Sequence, residues 1–207
     1  MMRKRVAILI SGRGSNMTAL IETAREPDYP AEIVLVLSNS ADAAGLTRAR
    51  AAGIATETVD HRRFGKDRDA FDRAVDAALE SHRVDIVCLA GFMRVLTAGF
   101  VARWSGRLIN IHPSLLPAFK GLDTHARALA AGAKMHGATV HFVVPELDSG
   151  PIIAQESVAV EAGDTAETLA ARVLAVEHRL YPLALRRVAE GANQVVATQY
   201  LEEGQRT

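Results

Sequence analysis

Three apolar runs of strand length constrain this chain more than any other feature. They lie within Arg5–Ser11, Ile33–Leu37 and Val84–Ala90, and they do not alternate with polar residues. A strand with one wet face alternates, whereas a strand covered on both faces does not, so these runs predict a parallel sheet sandwiched between helices. Helical stretches lie between them. Ser15–Arg25 opens after a glycine turn, and Ala41–Ala52 ends at Gly53, a natural C-terminal cap. Asp67–His82 carries Phe71, Val75, Ala78 and Leu79 as one apolar stripe. Strand and helix in repetition predict a doubly wound α/β domain with a mostly parallel sheet.

The second half changes character. Leu108–Ile111 reads as another strand and runs into a proline-punctuated loop, His112–Gly121. Ala138–Val144 and Pro151–Val160 read as a second kind of strand pair, antiparallel, joined by Pro145–Gly150. A long C-terminal helix follows, with Asp164 as its expected N-cap, Glu167 three residues on, and a row at Leu169, Val173, Val176 and Leu180. Pro182 is expected to kink or interrupt it, and Gly191 to end its continuation. With no repeat or linker in view, residues 1–207 read as a single domain, its core about 5–192 and its tail 193–207 polar and peripheral.

Charge and cysteine content remove several function classes. Lys and Arg number 24, as do Asp and Glu, so no overall basic body is available to grip nucleic acid. The one cysteine, Cys88, excludes a disulfide framework and any multi-cysteine metal site, and its apolar run makes it a small buried hydrophobe. The N-terminal apolar run, Val6–Ile10, falls below the roughly seven residues of a signal peptide core. No stretch reaches the roughly 18 apolar residues of a membrane span, so the expected location is the cytoplasm.

Three constellations carry chemistry. Ser11-Gly-Arg-Gly-Ser-Asn16 links the first strand to the first helix, where glycines admit close approach of an anion and helix N–H groups await a partner. A phosphate monoester suits it best. A dinucleotide fits less well, because Met17 stands where its third glycine belongs and the second strand ends in Ser38-Asn39-Ser40. A purely structural turn is the third reading. The second constellation, Asn110-Ile-His-Pro-Ser114, sits at a strand's carboxyl end, with Asn110 and His112 on one face. An amide donor beside a titratable imidazole suits stabilising an oxyanion while managing an amine's proton. The third is Glu146-Leu-Asp148-Ser-Gly150, whose Asp148 is placed to orient an imidazole or take a proton through water, or to make an ordinary turn.

Together these residues resemble the phosphoribosylglycinamide formyltransferases, the folate-dependent transformylases of purine synthesis. The resemblance runs from Ile8–Asn16 through Ala90-Gly-Phe-Met-Arg-Val-Leu96 and Asn110-Ile-His-Pro-Ser-Leu-Leu-Pro117. It continues through Gly121, His136-Gly137, Val140–Phe142 and Leu147-Asp148 to Glu177-His178 and Tyr181-Pro182. It implies a Rossmann-like formyltransferase fold, and a catalytic centre of Asn110, His112 and Asp148. Gly14, Ser15 and Asn16 are implied to hold the ribonucleotide phosphate, and Glu177 the ribose hydroxyls. Arg68, Met93, Arg94, Val95, Leu96, Asn110, His141 and Val143 are implied to line a pocket for 10-formyltetrahydrofolate, the cosubstrate. The implied chemistry needs no metal, nucleic acid or membrane, and the implied assembly is a monomer or homodimer. Two departures stand out: the spacing of Phe64–Arg68, and Ser149 where a glycine often stands. Other enzymes with this core, a formyltetrahydrofolate hydrolase and a tRNA-directed formyltransferase, carry extra domains, and an inert phosphate-binding module would not need the Asn110, His112 and Asp148 set.

Overall fold

The structure, a computed structural model, describes residues 2–191. One seven-stranded sheet organises them: β1 (Lys4–Ile10), β2 (Ala31–Ser38), β3 (Thr56–Thr58), β4 (Ile86–Leu89), β5 (Leu108–His112), β6 (Met135–Phe142) and β7 (Ile152–Ala159). Their spatial order is β3-β2-β1-β4-β5-β6-β7. The first five pair in parallel, while β6 runs antiparallel to both β5 and β7. The expected doubly wound sheet with an antiparallel pair at its end is therefore the fold observed.

Period two decides which residue faces which layer. Val6, Ile8 and Ile10 of β1 enter one core, and Ala7 and Leu9 enter the other. The first core is covered by α1 (Ser15–Thr23), α2 (Ala44–Ala51) and the long α6 (Ala166–Ala189). The second is covered by α3 (Arg68–Ser81) and α4 (Ala98–Arg103). A short α5 (Thr124–Ala130) packs against α6. Cys88 is buried in the first core, and burial pushes its thiol up to about 12, which leaves it inert as a nucleophile.

Two expectations about α6 are corrected. The N-cap is Thr165, whose hydroxyl accepts from the Thr168 N–H while the Thr168 hydroxyl accepts from the Thr165 N–H. Asp164 is drawn off instead by Arg172, with bonds of 2.8 and 3.0 Å. The helix also passes through Pro182 without a break. Proline there forfeits one backbone bond, but Tyr181 and Leu185 are fully buried beside it, and the Tyr29 hydroxyl donates to the Pro182 carbonyl at 2.7 Å. Gly191 follows the C-cap in the left-handed conformation expected of a helix stop. The polar tail from residue 193 lies outside the described residues, as does residue 192 at the end of the expected core.

Candidate active site

Strand order predicts where a ligand sits. The chain leaves β1 toward β2 on one side, and β4 lies on the other, so the loops after β1 and β4 diverge and leave a crevice at their carboxyl ends. A cavity of about 320 Å³ occupies that place, lined by residues 11–16 on one wall and Ala90, Gly91 and Met93 on the other. A groove of about 370 Å³ on the outer side of α1, lined by Thr18, Arg48 and His178, shares only Ser15 with it. Asn110 pairs with Leu89 at the carboxyl end of β4, directly before Ala90 and Gly91 of the crevice wall, and the groove has no such neighbour, so the crevice is the better site.

The glycine turn forms as its sequence demands. Gly14 has φ +71° and supplies the left-handed residue just before α1. Behind it, Gly45, the second residue of α2, donates its N–H to the Gly12 carbonyl at 3.0 Å. A side chain at Gly45 would overlap Ile10 and stand 3.1 Å from that carbonyl, so only glycine lets α2 press on the turn. A glycine inside a helical stretch costs stability, and that cost was the one sequence signal for it. Asn16 reaches across to α6, its amide donating to Glu177 Oε2 at 2.6 Å. Glu177 is buried, and burial raises its carboxyl above the usual range against the opposing bond from Asn16. The Asn16 side-chain oxygen, Oδ1, is buried without a partner.

The catalytic candidates are placed by strand register. Asn110 pairs directly with His141 across β5 and β6, and His112 pairs with Thr139. Directly opposed residues meet side to side, and Asn110 Nδ2 lies 3.2 Å from His141 Nε2. The other His141 nitrogen, Nδ1, lies 2.9 Å from the Phe142 carbonyl, which can only accept. Nδ1 therefore carries the hydrogen, and Nε2 accepts one hydrogen of the Asn110 amide. Burial holds the His141 imidazole below its ordinary value, in keeping with this neutral, accepting ring. The amide of Asn110 is thus fixed in orientation with its second hydrogen free.

The same reasoning assigns His112. Its Nε2 stands 3.0 Å from the Phe119 carbonyl, so Nε2 holds a hydrogen in either charge state. The other ring nitrogen, Nδ1, faces Asp148 Oδ2 at 3.5 Å. Oδ2 also accepts the Gly121 N–H at 2.8 Å. Asp148 adopts φ +47°, a strained conformation for a residue with a side chain, and strain of this kind marks sites where position is the point. Gly150 makes the turn possible: a side chain there would collide with the Phe142 carbonyl.

The rest of the site is backbone held from outside. Thr139 accepts the Leu116 N–H and donates to the Ser114 carbonyl, and Gln155 donates to both Leu116 and Thr139, so β6 and β7 pin the loop after His112. Arg68, the first residue of α3, donates to the carbonyls of Val95 and Leu96 at 2.9 and 3.1 Å. Met93 and Val95 present largely exposed side chains, and Met93 lines the crevice. Arg94 and Val143 are half-buried, and Val143 continues β6 alongside Leu108. Asn110, His112, His141 and Asp148 thus form one cluster, Asn16 and Glu177 a second, and Arg68 joins the Met93–Leu96 segment. Among the described residues no group of three His, Cys, Asp or Glu is placed to hold a metal ion, and no helix is long and apolar enough to cross a membrane.

Known proteins resemble this chain in sequence and in fold. A family model described as formyl transferase matches residues 4–185. The trifunctional purine biosynthetic protein adenosine-3 of Bos taurus is 54% identical over 92% of this chain, which spans only 19% of that relative's length. The phosphoribosylglycinamide formyltransferase of Escherichia coli strain K12 is 45% identical, over 97% of this chain and 94% of its own. The crystal structure of phosphoribosylglycinamide formyltransferase from Brucella melitensis superposes with a TM-score of 0.87 at 56% identity, covering 94% of this chain and 98% of that one. The chain belongs to the formyl transferase family.

Proposed function

We propose that this chain transfers the formyl group of 10-formyltetrahydrofolate to the amine of 5'-phosphoribosylglycinamide, yielding the formylated ribonucleotide and tetrahydrofolate in purine (IMP) biosynthesis. The observation that carries it is the cluster of Asn110, His112 and Asp148 beside a crevice with a phosphate-type turn. Relatives of matching length bear the name phosphoribosylglycinamide formyltransferase, which supports the choice of acceptor.

In this reading Gly14, Ser15 and Asn16 receive the phosphate on backbone N–H groups at the start of α1, and Glu177 takes the ribose hydroxyls. Arg68, Met93, Arg94, Val95, Leu96, His141 and Val143 form the folate side. The acceptor amine attacks the formyl carbon, and the carbonyl electron pair moves to oxygen. The free Asn110 hydrogen and the Nδ1 hydrogen of His112 donate to that oxyanion. Asp148, 3.5 Å from Nδ1, holds the ring in place and accepts the amine proton through water, and the proton passes to the departing folate nitrogen as the intermediate collapses. The amine is already a nucleophile, so positioning replaces covalent catalysis. Both substrates are small soluble molecules, in line with a cytoplasmic enzyme.

The test supplies both substrates to the purified chain and follows folate absorbance together with the formylated product. Turnover that requires the ribonucleotide supports the reading. Release of formate at an equal rate without any amine would overturn it in favour of hydrolysis.

A further inference from the structure

Between β4 and α4 the chain runs irregularly from Gly91 to Thr97, and its exposed residues Met93 and Val95 gain little from packing. Side chains from neighbouring elements hold its backbone. The Ser11 hydroxyl accepts the Met93 N–H at 2.7 Å, and Arg68 donates to the Val95 and Leu96 carbonyls. Asp72, one turn after Arg68 on the same face of α3, accepts the Thr97 N–H at 2.7 Å through Oδ2. The Leu96 carbonyl and the Thr97 N–H belong to one peptide group. Arg68 and Asp72 therefore grip opposite ends of a single rigid plane.

Asp72 is costly where it stands. It is 4% exposed among Phe71, Val75 and Leu79, and its Oδ1 is buried without a partner. A buried carboxylate with an unpaired oxygen lowers stability, so packing alone does not explain an acid on that face of α3. We infer that Asp72 is a positioning residue for cosubstrate binding, closing with Arg68 a clamp on the Leu96–Thr97 peptide that holds the Met93–Leu96 wall in shape. Asp72 acts through the backbone it holds. The inference rests on the assignment of that wall to the formyl folate.

Asp72→Ala, Asp72→Asn and the wild-type chain are compared by steady-state kinetics for each substrate and by amide hydrogen exchange across residues 92–97. Loss of the acceptor in Asp72→Ala is expected to raise the KM for formyl folate about tenfold while the ribonucleotide KM stays within about twofold. Asp72→Asn keeps an oxygen for the Thr97 N–H and is expected to return the folate KM to within about threefold of wild type. Exchange at Thr97 accelerates in the alanine variant and not in the asparagine variant. Should Asp72→Ala fail to fold, Thr97→Pro removes the donated hydrogen at a residue whose φ of −73° already suits proline, with Thr97→Ala as the control that loses only the hydroxyl cap. Thr97→Pro is expected to reproduce the folate shift and Thr97→Ala to leave it absent. An unchanged folate KM, an equal rise in both KM values, or no rescue by asparagine overturns the inference. Failure of wild-type turnover would instead overturn the proposed function, and the exchange data would still decide whether the clamp exists.

Discussion

The two halves of the site are built by opposite means. The catalytic half rests on Asn110, His112 and His141 of β5 and β6, aimed by strand register and each held by a named acceptor, with only Asp148 brought in on the loop after β6. The binding half is the backbone of the glycine turn and of residues 91–97, open to solvent and shaped by residues outside it. The difference follows from what each must do. A developing oxyanion is stabilised most by donors that do not reorganise, which a sheet supplies. A phosphate or a broad ring needs an accessible concave surface, which loops on a rigid scaffold supply.

The sharpest way to break the comparison is to delete donors from the catalytic half. Asn110→Ala and His112→Ala are each expected to lower kcat by about 10²–10³ with much smaller changes in either KM. Because the two donors serve one oxyanion, the double variant should lose less than the product of the singles. Stopped-flow or steady-state kinetics on variants with wild-type circular dichroism check this. Near-normal kcat in both would remove the side-chain half of the argument.

How far the sequence was legible follows the same division. Strands β1, β2 and β4 are readable because burial on both faces leaves unbroken apolar runs, and β5 shows as a shorter apolar stretch interrupted by Asn110. The three-residue β3, Thr-Glu-Thr, has no such run and exists by pairing with β2. Helices α4 and α5 are six and seven residues long and depend on tertiary cover, so they left no periodic signal. Asn110 and His112 were readable as a same-face pair. That His141 orients Asn110, and that the Phe119 carbonyl settles the His112 tautomer, depends on cross-strand register and on backbone, which side-chain patterns do not encode. Nothing local in the sequence reveals that Asp72 ends up buried.

Moving Asp148 without touching its chemistry is the next largest perturbation. Gly150→Ala forces the Pro145–Gly150 loop away from the Phe142 carbonyl and carries Asp148 with it. A displacement of about 1 Å at a reacting group costs up to about 10²-fold, so kcat should fall by tens-fold. Unchanged kinetics would show that the Gly121 bond alone places the carboxylate.

Beneath the loop after His112 lies a buried imidazole that makes stability depend on pH. His136 stacks edge-on against Phe119 and stands 3.2 Å from His125. Burial first, then the nearby His125 and His112, lower its pKa from 6.5 to about 4. The unfolded chain takes up a proton near pH 6.5 that the folded chain refuses until about pH 4, so stability falls as pH drops through that window. The loss is on the order of 2 kcal/mol, and His136→Phe should flatten it in a series of thermal melts. A wild-type melting temperature that holds level from pH 6.5 to 4 would contradict the assignment.

The smallest effect belongs at the exposed rim. Lys120 donates to the Ser149 hydroxyl at 2.6 Å, and that hydroxyl donates to the Leu147 carbonyl, so an exposed bond spans the two loops above Asp148. Exposed bonds of this kind are worth about 0.5–1 kcal/mol. Beneath it, Asp148 is already held by the Gly121 N–H and by the close passage of Gly150. Ser149→Gly should therefore lower the melting temperature by about 2–4 °C and change kcat by about twofold or less. Calorimetry and initial rates on one preparation measure both quantities. If kcat fell tenfold instead, the carboxylate would depend on a solvent-exposed contact, and the separation between a rigid catalytic half and a loop-built binding half would fail at the residue where the two meet.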